Sequence, residues 1–130
     1  MTKRVLNVGQ CALDHSNISE LLNKNFDVTI ETASTHNAAI SLASQNSYDL
    51  ILVNRLYDAD GSSGQATIAQ LCRNSEQAGD TSEATTSPVM LVSNYDDAQQ
   101  AAQNAGAVSG FGKSQLRDSS TIEALATYLR

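Results

Sequence analysis

The sequence lacks any apolar run approaching the roughly 20 residues that a membrane-spanning helix requires. Residues 1–5 lead directly into an apolar strand pattern, without the long apolar segment and small-residue cleavage site of a signal peptide. Hydrophobic residues make up 41% of the 130 residues, an ordinary fraction for a soluble globular protein. We therefore expect a single cytoplasmic domain over residues 1–130, without a membrane partner.

Basic residues are also few in this chain. Eight Lys and Arg stand against 14 Asp and Glu, which gives a formal net charge of -6. The bases are scattered along the sequence and form no stripe. Because a nucleic-acid-binding domain needs a basic face to neutralise phosphates, this composition argues against a nucleic-acid partner.

Cysteine and histidine are scarce, and so are the motifs of catalysis. Cys11 and Cys72 lie far apart without a CxxC motif, and His15 and His36 are isolated. We expect two buried thiols rather than a disulfide or a metal site. The sequence contains no GxGxxG or GxxxxGK[ST] phosphate loop and no recognisable Ser/His/Asp or Cys/His arrangement. These absences predict a protein that is not an enzyme and that holds no cofactor.

What the chain does contain is a regular alternation of short apolar segments and helical patterns. Five strands each followed by a helix predict a parallel sheet covered on both faces. With right-handed crossovers, we expect a flavodoxin-like (βα)5 three-layer sandwich with strand order 2-1-3-4-5. The predicted strands are residues 5–8, 26–30, 50–53, 88–93 and 108–112. The predicted helices are 14–25, a second one capped near Ser34 or Thr35, 65–74, 96–105 and 121–129, with Asp14, Ser16 and Asn17 as candidate caps of the first.

Two polar segments interrupt this pattern. Residues 74–87 hold no apolar residue larger than alanine and predict a mobile surface loop between the third helix and the fourth strand. Residues 56–64, after the third strand, include Asp58 and Asp60 and are expected to form a solvated turn. Asp58-x-Asp60-Gly61 is faintly similar to a calcium loop, but the distal glutamate and the flanking helices do not fit, and without a Mg²⁺ site these acids are disfavoured as alternative phosphate acceptors. For residues 74–87, a tolerated insertion is favoured over a binding loop.

The carboxyl ends of the strands are where this fold places its ligands and chemistry. The residues at these positions are Gly9 and Gln10 after the first strand, Asn54 after the third, Ser93 after the fourth and Lys113 after the fifth. We expect them to meet in one pocket.

Three segments make the chain resemble a response-regulator receiver domain of the CheY-like superfamily over essentially its whole length. The first is Asp49-Leu50-Ile51-Leu52-Val53 leading to Asn54, and the second is Pro88-Val89-Met90-Leu91-Val92-Ser93 with its terminal hydroxyl. The third is Ala105-Gly106-Ala107, followed six residues later by Lys113. Their order and spacing carry the resemblance.

The resemblance implies a chemistry that this sequence does not keep. In the family, two acids after the first strand and an acceptor Asp hold Mg²⁺, and a lysine offsets the charge of the transferred phosphoryl group. Gly9 and Gln10 stand where the acids are expected, and Asn54 stands where the acceptor is expected. An amide is not a nucleophile, so the resemblance implies a degenerate receiver without metal-dependent phosphorylation.

Two further family positions, a hydroxyl and a lysine, remain as Ser93 and Lys113. One interpretation is a vestigial anion site. The favoured one is that both are kept for packing and polar satisfaction, with Lys113 bonded to Asn54 or to a backbone carbonyl. Counting back from Lys113 places Gly110 where the family has its switch aromatic. Phe111 would then face the other way, unless a one-residue bulge restores it to that role.

The resemblance also implies a surface for partners. In the family, the fourth helix, fifth strand and fifth helix commonly form contacts with partners or a second copy. The leading hypothesis is a module of bacterial signalling that acts by phosphorylation-independent protein–protein contact. One alternative is a switch that uses a modified Asn54 or another ligand in the pocket. Another is a flavodoxin-like nucleotide or flavin binder, but the loop of residues 9–13 is too short and apolar to bind a phosphate. The matching surface residues are Tyr95, Gln99, Gln103, Ser109, Phe111 and Tyr128.

Overall fold

The computed structural model describes residues 2–73 and 87–130 and shows one parallel sheet of five strands in the order 2-1-3-4-5. This order confirms the predicted flavodoxin-like fold. The strands are β1 Lys3–Val8, β2 Val28–Ala33, β3 Leu50–Asn54, β4 Val89–Val92 and β5 Val108–Phe111. The helices are α1 Ala12–Asn25, α2 His36–Gln45, α3 Gly64–Arg73, α4 Asp96–Asn104 and α5 Ser119–Leu129, with a short 3-10 helix at Lys113–Gln115.

The sheet separates two hydrophobic cores. Strand β3 is buried along its entire length, and its successive side chains enter opposite layers. Ile51 and Val53 pack in the layer that contains α2, α3 and α4, whereas Leu50 and Leu52 pack in the layer of α1 and α5. Burial on both faces explains why this strand is a continuous apolar run rather than an alternating one.

Several elements begin or end at residues other than the predicted ones, and for two of them the hydrogen bonds show why. Helix α1 begins at Ala12, because the Cys11 thiol accepts a hydrogen bond from the backbone N–H of Asp14 at 3.5 Å and so caps the helix. The candidate caps at positions 14, 16 and 17 therefore lie inside α1. Strand β2 starts at Val28, later than predicted, because the backbone N–H of Phe26 still bonds the last turn of α1.

The second helix begins as the sequence indicates. The Thr35 hydroxyl accepts a hydrogen bond from the backbone N–H of Ala38 at 3.2 Å, which confirms one of the two predicted caps. The loop predicted for residues 74–87 lies, apart from Ser87, outside the described residues. Across residues 2–73 and 87–130, none of the helices has both the length and the apolar character needed to cross a bilayer.

Candidate functional site

The carboxyl edge of the sheet holds a small cavity of about 150 Å³. Asn54, Ser93 and Lys113 line it together, as the positions of the strand ends predict. Gly9 reaches this group through its carbonyl oxygen, which lies 3.0 Å from the Asn54 amide nitrogen. The Gln10 side chain does not line the cavity; its amide nitrogen and oxygen are buried without a hydrogen-bond partner among the described residues.

The side-chain amide of Asn54, at the end of β3, acts as a hydrogen-bond donor. Its side chain is 6% exposed, and the Nδ2 amide donates to the Gly9 carbonyl at 3.0 Å and to the Leu56 carbonyl at 2.7 Å. Both amide hydrogens are thus used. An ionised carboxylate has no hydrogen to donate and would set negative oxygens against two carbonyl oxygens. The surroundings of residue 54 therefore suit an amide and oppose an aspartate.

Gly9 lies directly under an aromatic ring. Its φ of 77° is in the left-handed region, and a Cβ built there would come within 2.1 Å of Tyr57 Cδ1. Any side chain at position 9 would therefore collide with Tyr57 as well as strain the backbone. Tyr57 is only 2% exposed, so the expectation of a fully solvated turn after β3 is wrong at this residue. The signal available in the sequence was one aromatic residue within a loop rich in Asp, Ser and Gly.

A chain of hydrogen bonds holds Tyr57 from its far end. The Tyr57 hydroxyl donates to Thr67 Oγ1, and this oxygen lies 2.8 Å from His36 Nδ1. The other ring nitrogen of His36 is 3.0 Å from Gln70 Oε1. Burial raises the pKa of Tyr57 to about 12, although the bond to Thr67 opposes the shift. The phenol therefore stays protonated at neutral pH and acts as a donor. His36 is the first residue of α2, and its ring links α2 to α3.

Lys113 does not bond Asn54 or a backbone carbonyl, so that expectation is wrong. Its ammonium group lies 2.7 Å from the Asp14 carboxylate, and the two side chains are 34% and 23% exposed. Burial alone would raise the pKa of Asp14, but the hydrogen bonds from Lys113 and Cys11 and the lysine charge outweigh it, and the net pKa is lowered. The acid that neutralises the lysine comes from the first turn of α1, not from a strand end.

Ser93 is used in the local turn after β4. It is 6% exposed, and its hydroxyl oxygen accepts a hydrogen bond from the backbone N–H of Tyr95 at 3.1 Å. This contact fits the favoured interpretation, in which the hydroxyl is kept for polar satisfaction.

Strand β5 contains a one-residue bulge, which the sequence analysis considered as a possibility. Met90 pairs with Val108, but Val92 pairs with Phe111, so one residue is inserted in β5. The bulge does not bring Phe111 toward α4. Its side chain is 3% exposed and packs in the core layer of α1 and α5. Assigning Phe111 to a partner surface was therefore wrong.

Gln99 of α4 fills the space beside Gly110. A Cβ at position 110 would come within 2.1 Å of the Leu91 carbonyl oxygen and 3.0 Å of Gln99 Oε1. The Gln99 amide nitrogen donates to the carbonyls of Leu91 at 2.9 Å and Ser93 at 3.1 Å. Gln99 is thus a structural residue that joins α4 to the sheet, and only part of it is available to a partner.

The remaining residues of the predicted partner surface differ in exposure. Tyr95 is 58% exposed, Gln103 and Ser109 are exposed, and Tyr128 is half-buried against the α1 and α5 core layer. Gln103 and Ser109 line a groove of about 410 Å³ between α4 and β5. Three of the six residues thus remain as an accessible surface.

Several solved structures share this fold over nearly the whole chain. A LuxR-family two-component response regulator from Aurantimonas matches at 18% identity with a TM-score of 0.73, over 100% of this chain and 89% of that one. CheY4 of Vibrio cholerae, a chemotaxis response regulator, matches at 17% identity with a TM-score of 0.68, over 99% of this chain and 100% of that one. A response regulator from Burkholderia pseudomallei was solved with a phosphorylated aspartic acid and a calcium ion. It matches at 16% identity with a TM-score of 0.68, over 98% of this chain and 66% of that one.

At the level of sequence, no family model matches this chain, and no curated protein matches it significantly. The likeness to the solved structures is therefore one of architecture, and it agrees with the strand order and with the five helices described above. The chain has the CheY-like fold of response-regulator receiver domains.

Proposed function

We propose that this chain is a receiver-like signalling module that works in the cytoplasm by protein–protein contact and is not phosphorylated at residue 54. The observation that carries the proposal is the double donation from the Asn54 amide to the Gly9 and Leu56 carbonyls. The residue at the end of β3 serves the backbone around it and offers no nucleophile to a phosphoryl donor.

The residues of the pocket do not fit the Mg²⁺ ion that phosphorylation in the family requires. Mg²⁺ binds through carboxylates and other oxygen ligands. Gly9 and Gln10 supply no carboxylate, and the Tyr57 ring fills the space that a side chain at position 9 would need. The nearby acid, Asp14, is engaged with Lys113. Several independent features thus support the loss of this chemistry.

The partner surface in this proposal is the accessible part of α4 and β5. Tyr95, Gln103 and Ser109 present exposed polar and aromatic groups there, and Gln103 and Ser109 line a groove of about 410 Å³. Gln99 joins α4 to the carbonyls of Leu91 and Ser93 beside this surface. A second signalling protein, or a second copy of the chain, is the partner we propose.

The first experiment is an attempt to phosphorylate the wild-type protein. The protein is incubated with acetyl phosphate and Mg²⁺, and its intact mass is measured, with the Burkholderia pseudomallei response regulator that was solved with a phosphorylated aspartic acid as the positive control. We expect a phosphoryl adduct on the control and none on this chain. A Mg²⁺-dependent adduct on this chain would contradict the proposal.

The second experiment tests the contact surface. Gln103→Arg and Ser109→Arg place bulky charges beside the groove, and Asn23→Arg on the exposed side of α1 is the matched control. The partner is first captured from the native host with the wild-type chain, or self-association is measured by light scattering. We expect the two groove variants to lose the complex and the control to keep it. Unchanged binding by both groove variants would contradict this choice of surface.

A further inference from the structure

The two edge strands of the sheet differ in how well they are protected against pairing with a further strand. In the order 2-1-3-4-5, β2 and β5 each have one neighbouring strand and one free edge. Strand β5 has four residues and contains the bulge described above. Strand β2 has six residues, and its register with β1 is unbroken from Val28 to Ala33. Shortness and bulges are two features that keep an edge from pairing, and β2 has neither.

The free edge of β2 offers a regular row of backbone groups. At the two ends of the β1–β2 ladder, the N–H of Lys3 donates to the Asp27 carbonyl at 2.9 Å and the N–H of Gly9 donates to the Ala33 carbonyl at 2.8 Å. Because successive residues of a paired strand bond to opposite sides, the odd-numbered residues of β2 bond to β1 and the even-numbered ones face outward. None of the outward N–H and C=O groups has a hydrogen-bond partner among residues 2–73 and 87–130. These groups belong to Val28, Ile30 and Thr32.

The side chains of β2 do not prevent pairing either. The six residues include no proline, lysine or arginine. The one charged residue, Glu31, accepts a bond from the Arg4 guanidinium at 2.6 Å and another from the Tyr48 hydroxyl at 3.1 Å. Val28 and Ile30 are half-buried against the core layer of α1 and α5. An unbroken edge of β-branched residues without free charge favours addition of another strand.

We propose that the chain forms a twofold dimer in which β2 pairs antiparallel with β2 of a second copy. A twofold axis at Ile30 sets this residue opposite itself and sets Val28 opposite Thr32. Each of these three pairs exchanges two hydrogen bonds, so the outward groups of both copies are all used. A shift of the register by two residues moves one outward residue of each copy past the end of the strand. The pairing is therefore self-matching in one register.

The distribution of charge also fits a second copy. In this register Thr29 lies opposite Glu31 of the second copy, so no charged residue of β2 directly opposes its like. Helix α2 packs against β2, and the two copies of α2 would lie on the same face of the joined sheet. This helix contains no Asp, Glu, Lys or Arg, so like charges do not meet there. An extended peptide of another protein would gain the same backbone bonds but has no such match.

This dimer goes beyond the proposed function, because it uses a different part of the molecule. Strand β2 and the α4 and β5 surface lie at opposite edges of the sheet. Pairing through β2 thus leaves the α4 and β5 surface of each copy free for a partner. The bulge at the other edge opposes further strand addition, so the assembly should stop at two copies.

The first test follows the wild-type protein by sedimentation velocity from about 10 μM to about 1 mM, a range in which small interfaces associate. We expect a reversible equilibrium between monomer and dimer. Hydrogen exchange at the amides of Val28, Ile30 and Thr32 should slow as the concentration rises, because these N–H groups are bonded only in the dimer. A protein that stays monomeric, or exchange at these amides that does not depend on concentration, would overturn the proposal.

The second test compares Thr29→Glu with Thr29→Lys. Thr29 is exposed, and the new side chain lies opposite Glu31 of the second copy, where glutamate repels and lysine attracts. Thr127→Glu and Thr127→Lys are the matched controls. Thr127 is exposed on α5, which packs on β5 at the other edge of the sheet. Circular dichroism checks that all four variants fold.

We expect Thr29→Glu to dimerise at least about fivefold more weakly than Thr29→Lys, because the altered pair occurs twice in each dimer. The two Thr127 variants should differ by less than about twofold, since their charges lie away from the contact. Equal affinities of the Thr29 variants, or a larger difference between the Thr127 variants, would contradict pairing through β2. Loss of the dimer in Gln103→Arg with equal Thr29 variants would assign it to the α4 and β5 surface instead. Should Thr29→Glu not fold, the amide exchange of the wild type decides.

Discussion

The ring of Tyr57 rests on the backbone of Gly9, so closely that a Cβ at position 9 would lie 2.1 Å from Tyr57 Cδ1. This contact places an aromatic side chain at the carboxyl edge of the sheet, beside the strand end where the receiver family carries acids. The loop after β3 is thereby fixed to β1, and Asp58 adds a backbone hydrogen bond to the Gly9 carbonyl at 3.1 Å. Packing and hydrogen bonds thus join the loop after β3 to the end of β1.

The first prediction concerns Gly9→Ala. Both Gly9 and Gly61 have positive φ, 77° and 72°, but nothing lies within 4 Å of a Cβ at Gly61. Gly61→Ala should therefore cost only the conformational penalty, about 1–2 kcal/mol. Gly9→Ala should cost a further ~1–3 kcal/mol, because the methyl group overpacks against Tyr57. Urea unfolding of both variants measures the difference. Equal losses of unfolding free energy in the two variants would show that the Tyr57 ring can move aside at little cost.

The second prediction concerns Asn54→Asp. The substitution removes two donated hydrogen bonds in a buried site and places a charge against two carbonyl oxygens. We expect a loss of about 2–4 kcal/mol in the free energy of unfolding at pH 7. The part of the loss that is due to ionisation should shrink as the pH falls toward about 4, the ordinary carboxyl pKa, because burial against two carbonyl oxygens raises the pKa of this carboxyl in the folded protein. Asn23→Asp, on an exposed position of α1, is the control and should change stability by less than ~0.5 kcal/mol. A stable Asn54→Asp protein at pH 7 would revive the alternative of a switch through a modified residue 54.

The third prediction concerns the pair of Asp14 and Lys113. The pKa of Asp14 is lowered in the folded protein, so the pair contributes stability above the carboxyl pKa of the unfolded chain. That contribution is lost as the pH falls through the folded value. Because both side chains are partly exposed, Asp14→Asn should cost no more than about 1 kcal/mol at pH 7. Wild type and variant should converge in urea unfolding at acidic pH. A difference that grows on acidification would contradict the assigned pair.

The fourth prediction concerns the Tyr57 hydroxyl. Burial raises the pKa of Tyr57 to about 12, so the neutral phenol stabilises the fold below the ordinary tyrosine pKa. This stabilisation is lost as the pH rises from the unfolded value through about 12. In an ultraviolet titration, Tyr57→Phe should remove one late-titrating group and leave the tyrosines that titrate earlier. If Tyr57→Phe instead removed a tyrosine that titrates near the ordinary pKa, the Tyr57 hydroxyl would be in contact with solvent.

The fold could be predicted because its signals are local. The run of five buried residues in β3 and the cap at Thr35 are visible in short stretches of sequence. The order of the strands then follows from general rules for parallel sheets. The same rules bring the strand-end residues 54, 93 and 113 to one edge, as expected.

The parts that escaped prediction depend on contacts between distant residues. Asp14 and Lys113 are 99 positions apart, and a single sequence contains no signal that they pair. Tyr57 is buried through Gly9 and Thr67, which belong to other elements. Gly110 in β5 likewise lies against Leu91 and Gln99, which belong to β4 and α4. In each case the residue type was visible, but its partner was not.

In our proposal, several positions of the pocket oppose phosphorylation, and not residue 54 alone. The most direct test is to incubate the Asn54→Asp variant with acetyl phosphate and Mg²⁺ under conditions where it is folded, and to measure its intact mass. We predict no adduct, because the positions held by Gly9 and Gln10 supply no metal ligand and Tyr57 fills the space beside them. A Mg²⁺-dependent phosphoryl group on residue 54 of this variant would contradict the account.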